Sequence, residues 1–147
     1  MTVSDLIEHA GYRLRMVSNA VSQDFARKVA AEGVTVAEWS FMRALFDDEG
    51  TVPTALADRM GMTRGAISKL ADRLAAKGLI ARTETGGRGQ ILSLTPEGRG
   101  KVPVLARLAD ENDTEYFGVL SGEDREALDR ILRTLIVRRG LTATPVD

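Results

Sequence analysis

The sequence contains no cysteine, which excludes disulfide bonds, thiolate metal sites and cysteine nucleophiles. His9 is its only histidine, so an imidazole-rich metal site within one chain is not expected. Aromatic residues make up 5% of the chain, and no apolar run approaches the roughly 18 residues that a membrane-spanning helix needs. Charges interrupt the N-terminal sequence MTVSDLIEHAGYRLRM, which therefore does not read as a signal peptide. We expect a cytoplasmic protein without a metal, a cofactor or a membrane segment.

Charged residues are unevenly distributed along the 147-residue chain, whose net charge is −1. Between Arg59 and Lys101 there are nine basic and three acidic side chains, a local charge of +6, whereas the remainder carries −7. A cationic segment in an otherwise acidic protein indicates a site for a polyanion. The alternative is a basic helix face that is merely solvated. With 44% hydrophobic residues, the chain is long and apolar enough for one compact domain.

Spacing and capping signals predict a mainly α-helical chain with one short hairpin. Apolar residues from Leu6 to Phe25 recur every three or four positions, which predicts a first helix from about Ser4 to about Ala31. A capping box at Thr35 opens a second helix. The elements predicted after it are a helix over Pro53–Met60, a helix over Arg64–Lys77, strands over Leu79–Glu84 and Gln90–Leu94, a long helix after Thr95, a last helix after Ser121 and a frayed tail over Thr142–Asp147.

Residues Pro53 to Leu70 have the spacing of a helix-turn-helix. Ala57 provides a small side chain where the two helices approach, Gly61 suits a left-handed turn, and Ile67 points back between the helices. With Ile67 and Leu70 facing inward, the opposite face of the second helix is free to enter the major groove of DNA.

The residues predicted to contact DNA lie mostly on that outward face and at the hairpin tip. Arg64 and Lys69 can donate to guanine, while Ser68 can pair with a base or a phosphate. Arg88 stands among glycines at the tip, which suits insertion into a minor groove. The alternatives are an ordinary exposed helix face and a solvated arginine on a turn. The predicted DNA-binding set is Thr54, Thr63, Arg64, Gly65, Ser68, Lys69, Arg73 and Arg88.

Three segments carry a family resemblance: TRGAISKLADRL at 63–74, KGLIAR at 77–82 and LTPEG at 94–98. Together they resemble the MarR family of transcriptional regulators, and the resemblance covers essentially the whole chain. It implies a single domain over 1–147, mainly α with a small β-wing. In that fold a winged helix-turn-helix region (33–98) is flanked by N- and C-terminal dimerisation helices (1–32 and 99–140).

The resemblance also implies a function. It implies a homodimer that binds a pseudo-palindromic operator in duplex DNA, with recognition by the helix that starts at Arg64 and a wing arginine at Arg88. Regulation in the family is often repression, relieved by a small molecule at the junction between the dimerisation and DNA-binding regions. Gly86 departs from the pattern because the family usually has an aspartate there, which leaves the pose of Arg88 open.

Two other classes of function are less consistent with the sequence than DNA binding. A winged-helix protein–protein interaction module would be expected to present aromatic or aliphatic side chains, whereas Arg64, Ser68 and Lys69 are polar or cationic. An enzyme is not expected, because no serine has a nucleophile elbow around it and the acids at Asp47 and Asp48 fit a solvated turn.

A ligand cavity is a further possibility near the helix junctions, where aromatic and methionine side chains occur. The same residues at helical spacing can equally be simple core. The candidate ligand-binding residues are Tyr12, Met16, Trp39, Phe41 and Tyr116.

Overall fold

The computed structural model describes residues 2–87 and 89–146, and these residues form six α-helices and one two-stranded antiparallel sheet. The elements in chain order are α1 (Ala10–Ala30), α2 (Val36–Phe46), α3 (Pro53–Met60), α4 (Arg64–Ala76), β1 (Ile80–Glu84), β2 (Gln90–Leu94), α5 (Pro96–Phe117) and α6 (Gly122–Arg139). The predicted class, mainly α with a small β-wing, is confirmed. In the part of the chain that the structure describes, no helix combines the length and hydropathy needed to cross a membrane.

The N-terminal segment differs from the predicted continuous helix. Residues Leu6–Glu8 form a single 3-10 turn, in which the backbone N–H of Asp5 donates to Oε2 of Glu8 over 3.0 Å. His9 then takes an extended conformation (φ −84°, ψ 127°), and α1 begins only at Ala10. The prediction of one helix from about Ser4 was therefore wrong, because a local polar turn satisfies the backbone before the helix starts.

The hydrophobic core lies between α2, α3, α4, the sheet and the first half of α5. Its largest fully buried side chains are Phe41, Met42, Leu45, Leu56, Met60, Ile67, Leu74, Leu92, Leu105 and Val29. The terminal helices contribute little to it: Val29 is the one described residue of α1 that is buried, and none of the described residues of α6 is. The chain therefore has one core under the helix-turn-helix and two long helices that stand largely outside it.

The sheet joins the helix-turn-helix to the rest of the domain. Strands β1 and β2 pair in antiparallel register, with Ile80 opposite Leu94 and Glu84 opposite Gln90. Thr51 extends the sheet on the other side of β2, since its backbone N–H and C=O both bond to Leu92 over 2.9 Å. This bridge holds the middle of β2 beside the segment that leads into α3.

The turn between α3 and α4 has the geometry that the sequence predicted. Gly61 adopts a left-handed conformation (φ +64°), and the backbone N–H of Met62 donates to the carbonyl of Ala57 over 3.0 Å. The predicted fraying of the C-terminal tail is wrong for its described residues. The backbone N–H of Thr144 donates to the carbonyl of Met60 over 3.0 Å, which folds the tail back onto this turn.

Candidate nucleic-acid interface and ligand cavity

Helix α4 has one buried face and one exposed face. The hydroxyl of Thr63 accepts the backbone N–H of Ala66 over 3.1 Å, and this cap fixes where the helix starts. The buried residues of α4 are Ile67, Leu70, Ala71 and Leu74. The exposed residues include five of the predicted DNA contacts: Arg64, Gly65, Ser68, Lys69 and Arg73. The structure thus brings these five together on one surface, while Thr54 is exposed separately in the first turn of α3.

Most of the other basic side chains in the cationic segment are already bonded within the chain. The acceptors are Ala44 and Asp48 for Arg59, Glu38 for Lys77, Asp72 for Arg82, Phe46 for Arg99 and Glu32 for Lys101. Among the described residues, no carboxylate pairs with Arg64, Lys69 or Arg73. The exposed face of α4 therefore carries three positive charges that no described carboxylate neutralises.

Arg82 connects the hairpin to that face. Its guanidinium lies 2.7 Å from a carboxylate oxygen of Asp72 and donates to the backbone carbonyl of Ser68 over 3.4 Å. No local sequence pattern predicts this ion pair, because it joins residues of two different elements.

The hairpin tip is closed by a hydrogen bond from the backbone N–H of Thr85 to the carbonyl of Gly89 over 3.1 Å. Arg88, the predicted wing contact, lies outside the described residues. A Cβ atom built on Gly86 would meet no described atom within 4 Å, so an aspartate at this position would have room.

The far end of α4 is fixed by a buried ion pair. Nζ of Lys77 donates to Oε1 of Glu38 and to the carbonyl of Gly33, both over 2.9 Å, and Glu38 is completely buried. Burial alone would raise the pKa of Glu38, but the hydrogen bond from Lys77, those from Thr35 and the attraction of the lysine charge together lower it. Glu38 is therefore ionised at neutral pH and ties the start of α2 to the end of α4.

A cavity of about 290 Å³ lies between α1, α2 and α5. Its lining residues are Val21, Ser22, Phe25, Val36, Trp39, Ser40, Ala109, Asn112, Asp113 and Pro145. Trp39 is the one predicted ligand-binding residue in this wall. Phe41 is a correction to the prediction, because its side chain is fully buried in the core and lies in neither this cavity nor the groove below.

Tyr116 lies elsewhere, in a groove of about 760 Å³ formed by α1, α5 and α6. Its hydroxyl lies between two acceptors, the carbonyl of Ala20 at 3.0 Å and the carboxylate of Asp24, which share its one hydrogen. Tyr12 and Met16 are 42% and 51% exposed and line neither the cavity nor the groove. The five predicted ligand-binding residues therefore do not form a single site.

Asn112 is one of four polar residues in the cavity wall. Its amide nitrogen donates to the carbonyl of Val21 over 3.1 Å, and its oxygen accepts from Nζ of Lys28 over 2.9 Å. Lys28 also bonds to Glu115 over 2.9 Å, so its charge is compensated. With Asn112 occupied, the polar groups left to face a ligand are the hydroxyls of Ser22 and Ser40 and the carboxylate of Asp113. Among the described residues, no group of three His, Asp or Glu side chains could hold a metal ion.

Comparison with known proteins gives concordant matches. The MarR family model matches residues 32–91. A protein of Thauera aromatica, assigned as a transcriptional regulatory protein for the hcr operon, is 32% identical over 131 residues, which cover 85% of this chain and 77% of that protein.

Solved structures with the same fold cover nearly the whole chain. The crystal structure of a probable transcriptional regulator from Pseudomonas aeruginosa matches with a TM-score of 0.78 and 26% identity, over 90% of this chain and 100% of that one. BpsR from Bordetella bronchiseptica, whose DNA binding is regulated by 6-hydroxynicotinic acid, matches with a TM-score of 0.80 and 22% identity. That match covers 92% of this chain and 99% of the BpsR chain and shows a shared fold.

Proposed function

Because the chain belongs to the MarR family of transcriptional regulators, and is thus a regulator and not an enzyme, we propose that it represses transcription as a homodimer bound to duplex DNA. We further propose that a small molecule in the cavity between α1, α2 and α5 relieves this repression. The observation that carries the proposal is the exposed face of α4, where Arg64, Lys69 and Arg73 lie together and pair with no carboxylate among the described residues.

Major-groove recognition fits the two faces of α4. The buried face anchors the helix through Ile67, Leu70 and Leu74, so the exposed face is held in a fixed orientation. Arg64 lies at the N-terminal end, which in helix-turn-helix proteins is the part of the helix that reaches base edges. Lys69 lies further along the exposed face, where base edges and phosphates are both within the reach of a long side chain.

The homodimer is supported by apolar surface that the single chain leaves uncovered. Large side chains on α1 and α6 are about half exposed, among them Leu14 at 52%, Leu135 at 48% and Ile136 at 47%. Monomeric proteins rarely leave so much apolar surface on two helices that line one groove. A second copy of the chain, related by two-fold symmetry, would cover these helices on both subunits at once.

The cavity supports a ligand-responsive regulator. Its volume is near the lower limit for sites that bind drug-sized molecules, and Phe25, Val36 and Trp39 give it an apolar, partly aromatic wall. It adjoins α2, whose Glu38 is bonded to Lys77 at the end of α4. A ligand that shifts α2 would therefore act directly on the orientation of the recognition helix.

Footprinting on the DNA upstream of the protein's own gene tests the DNA-binding proposal. We expect protection of two half-sites whose centres are about 10 base pairs apart, related as an inverted repeat. A scrambled duplex of the same length is the control. Protection of one asymmetric half-site would contradict the symmetric dimer, and equal affinity for the scrambled duplex would contradict sequence-specific recognition.

Analytical ultracentrifugation tests the dimer. Leu135→Asp places a charge on the exposed apolar face of α6, and we expect it to shift the protein towards monomer because an unpaired charge at an interface is costly. Val52→Asp is the matched control, since Val52 is 45% exposed but precedes α3. If both variants sediment as the wild type does, the α1 and α6 faces do not form the interface.

A further inference from the structure

The C-terminal strap, residues 141–146, returns from the end of α6 to the helix-turn-helix. Helix α6 ends at Gly140 in a left-handed conformation (φ +60°), and the backbone N–H of Leu141 donates to the carbonyl of Ile136 over 3.0 Å. This helix ending reverses the chain, as a glycine in the left-handed region allows. We propose that the strap is a lid on the cavity between α1, α2 and α5 and, at the same time, a latch on the turn before the recognition helix.

The latch consists of a hydrogen bond to the end of α3. The last carbonyls of a helix have no partner within it, and that of Met60 is such a group. The backbone N–H of Thr144 supplies the partner over 3.0 Å. The strap therefore satisfies a backbone group that the helix-turn-helix cannot satisfy within its own helix.

Close packing beside this bond depends on Gly61. A Cβ atom built there would lie 2.8 Å from Cα of Ala143 and 3.3 Å from its Cβ, so a side chain at this position would push the strap away. Gly61 thus has two functions, because its left-handed conformation makes the turn and its missing side chain admits the strap. Arg64, at the start of α4, is three residues further along the chain.

The lid consists of the next residues of the strap. Pro145 completes the cavity wall together with Phe25 and Trp39. Thr144 lies with Trp39 in the adjoining cleft beside Arg59 and Met60. Two consecutive strap residues therefore contact both the cavity and the turn. A molecule that filled the cavity would contact Pro145, and displacement of Pro145 would pull on the hydrogen bond of the adjacent Thr144. That the occupant is an effector rests on the proposed function, but the docking of the strap does not.

Trp39 is the only tryptophan of the chain, so its fluorescence reports on the strap directly. The experiment measures acrylamide quenching of Trp39 in the full-length protein, in a chain ending at Gly140, in Thr144→Pro and in Thr142→Pro. Thr144→Pro removes the donor to Met60, whereas the matched Thr142→Pro changes an N–H that bonds to none of the described backbone carbonyls. Amide hydrogen exchange of residues 61–63 in the same four chains measures how far the strap protects the turn before α4.

We expect Thr144→Pro to raise the ratio of open to docked strap by about two- to tenfold, the effect of losing one ordinary hydrogen bond. Quenching of Trp39 and exchange at residues 61–63 should rise towards the values of the shortened chain, while Thr142→Pro keeps wild-type values. Equal quenching and exchange in all four chains would overturn the proposal. Neither measurement uses DNA or a ligand, so the docking of the strap is tested separately from the proposed function. If the protein binds no DNA but shows this pattern of quenching and exchange, the proposed function is refuted while the docking of the strap is supported.

Discussion

Arg82 of the wing lies 2.7 Å from the carboxylate of Asp72 in the middle of the exposed face of α4. Asp72 is adjacent to Arg73 and one helical turn beyond Ser68, so an uncompensated negative charge here would oppose an approaching phosphate. Arg82 neutralises that charge and holds the hairpin against the helix through the carbonyl of Ser68. The pair therefore shapes both the electrostatics and the geometry of the candidate DNA interface.

Removing one partner of this pair should harm DNA binding more than removing both. We expect Arg82→Ala to weaken binding to all DNA sequences, because Asp72 then repels phosphates without compensation. The double variant Arg82→Ala/Asp72→Ala should recover part of the loss. Salt-titrated fluorescence anisotropy on specific and scrambled duplexes measures this. Stability should change by only about 0–1 kcal/mol, since the pair is solvent-accessible. If the double variant binds no better than Arg82→Ala, Asp72 does not face the DNA.

Base contacts and phosphate contacts by Arg64 and Lys69 can be distinguished by how substitutions change the DNA sequence preference of the protein. If each reads a base, Arg64→Ala and Lys69→Ala should each cost about 1–3 kcal/mol on the preferred operator and relax the preference at one position. Selection of binding sites from a randomised duplex library measures the preference. Arg133→Ala on α6 is the control, because it removes an exposed arginine that lies outside the α4 surface. Equal weakening on every sequence would identify the two residues as phosphate contacts.

The helix-turn-helix could be predicted from sequence because its signals are local. Thr63 caps α4, Gly61 makes the left-handed turn, and the spacing of Ile67 and Leu70 fixes the buried face; each depends on residues within a few positions. The faces of α4 follow from this spacing alone. The structure therefore confirms which side chains are buried and which are exposed, while their contacts with DNA stay a prediction.

The residues that line the cavity were predicted less accurately than the helix-turn-helix, although helical geometry alone excludes some of the candidates. Trp39 and Phe41 are two positions apart, which places them about 200° apart around α2, so they cannot line one cavity. Likewise Tyr12 is about 180° around α1 from Val21, which does line the cavity. The contribution of Pro145 had no sequence signal at all, because it depends on a chain reversal that begins at Gly140.

Glu38 should make the stability of the protein fall in acid. Its pKa in the folded protein is below the ordinary value of 4.5, so the unfolded chain takes up the proton first and acid favours unfolding. The stabilisation is present above pH 4.5 and is lost as the pH falls through the lowered pKa. We expect Glu38→Gln to be less stable at neutral pH by about 1–3 kcal/mol, the contribution of hydrogen bonds to a charged group.

Urea unfolding at several pH values tests this prediction. The free energy of unfolding of Glu38→Gln should decline less steeply below pH 4.5 than that of the wild type. Glu126→Gln is the control, because it removes an exposed carboxylate of α6 and should leave the wild-type decline unchanged. Parallel declines in Glu38→Gln and the wild type would show that the buried pair with Lys77 does not produce the acid sensitivity.

The charge of the cavity wall predicts which aromatic ligands bind. Asp113 is the one acidic residue among the described lining residues, which include no basic residue, and the nearby Lys28 is bonded to Asn112 and Glu115. We therefore expect benzylamine to bind more tightly than benzamide, and benzamide more tightly than benzoate, three compounds of similar shape that differ in charge. Since Asp113 is exposed, benzylamine should exceed benzamide by only about two- to fivefold, as for an ion pair at the surface.

Titration of each compound against Trp39 fluorescence measures the three affinities, because the indole lies in the cavity wall. Asp113→Asn keeps the shape of the side chain and removes its charge, so it should abolish the advantage of benzylamine over benzamide while benzamide binds as before. Asp110→Asn, one helical turn away and not part of the lining, is the matched control and should leave the order unchanged. Tightest binding of benzoate would contradict the inferred charge preference, since an anion would then be gaining affinity beside a carboxylate.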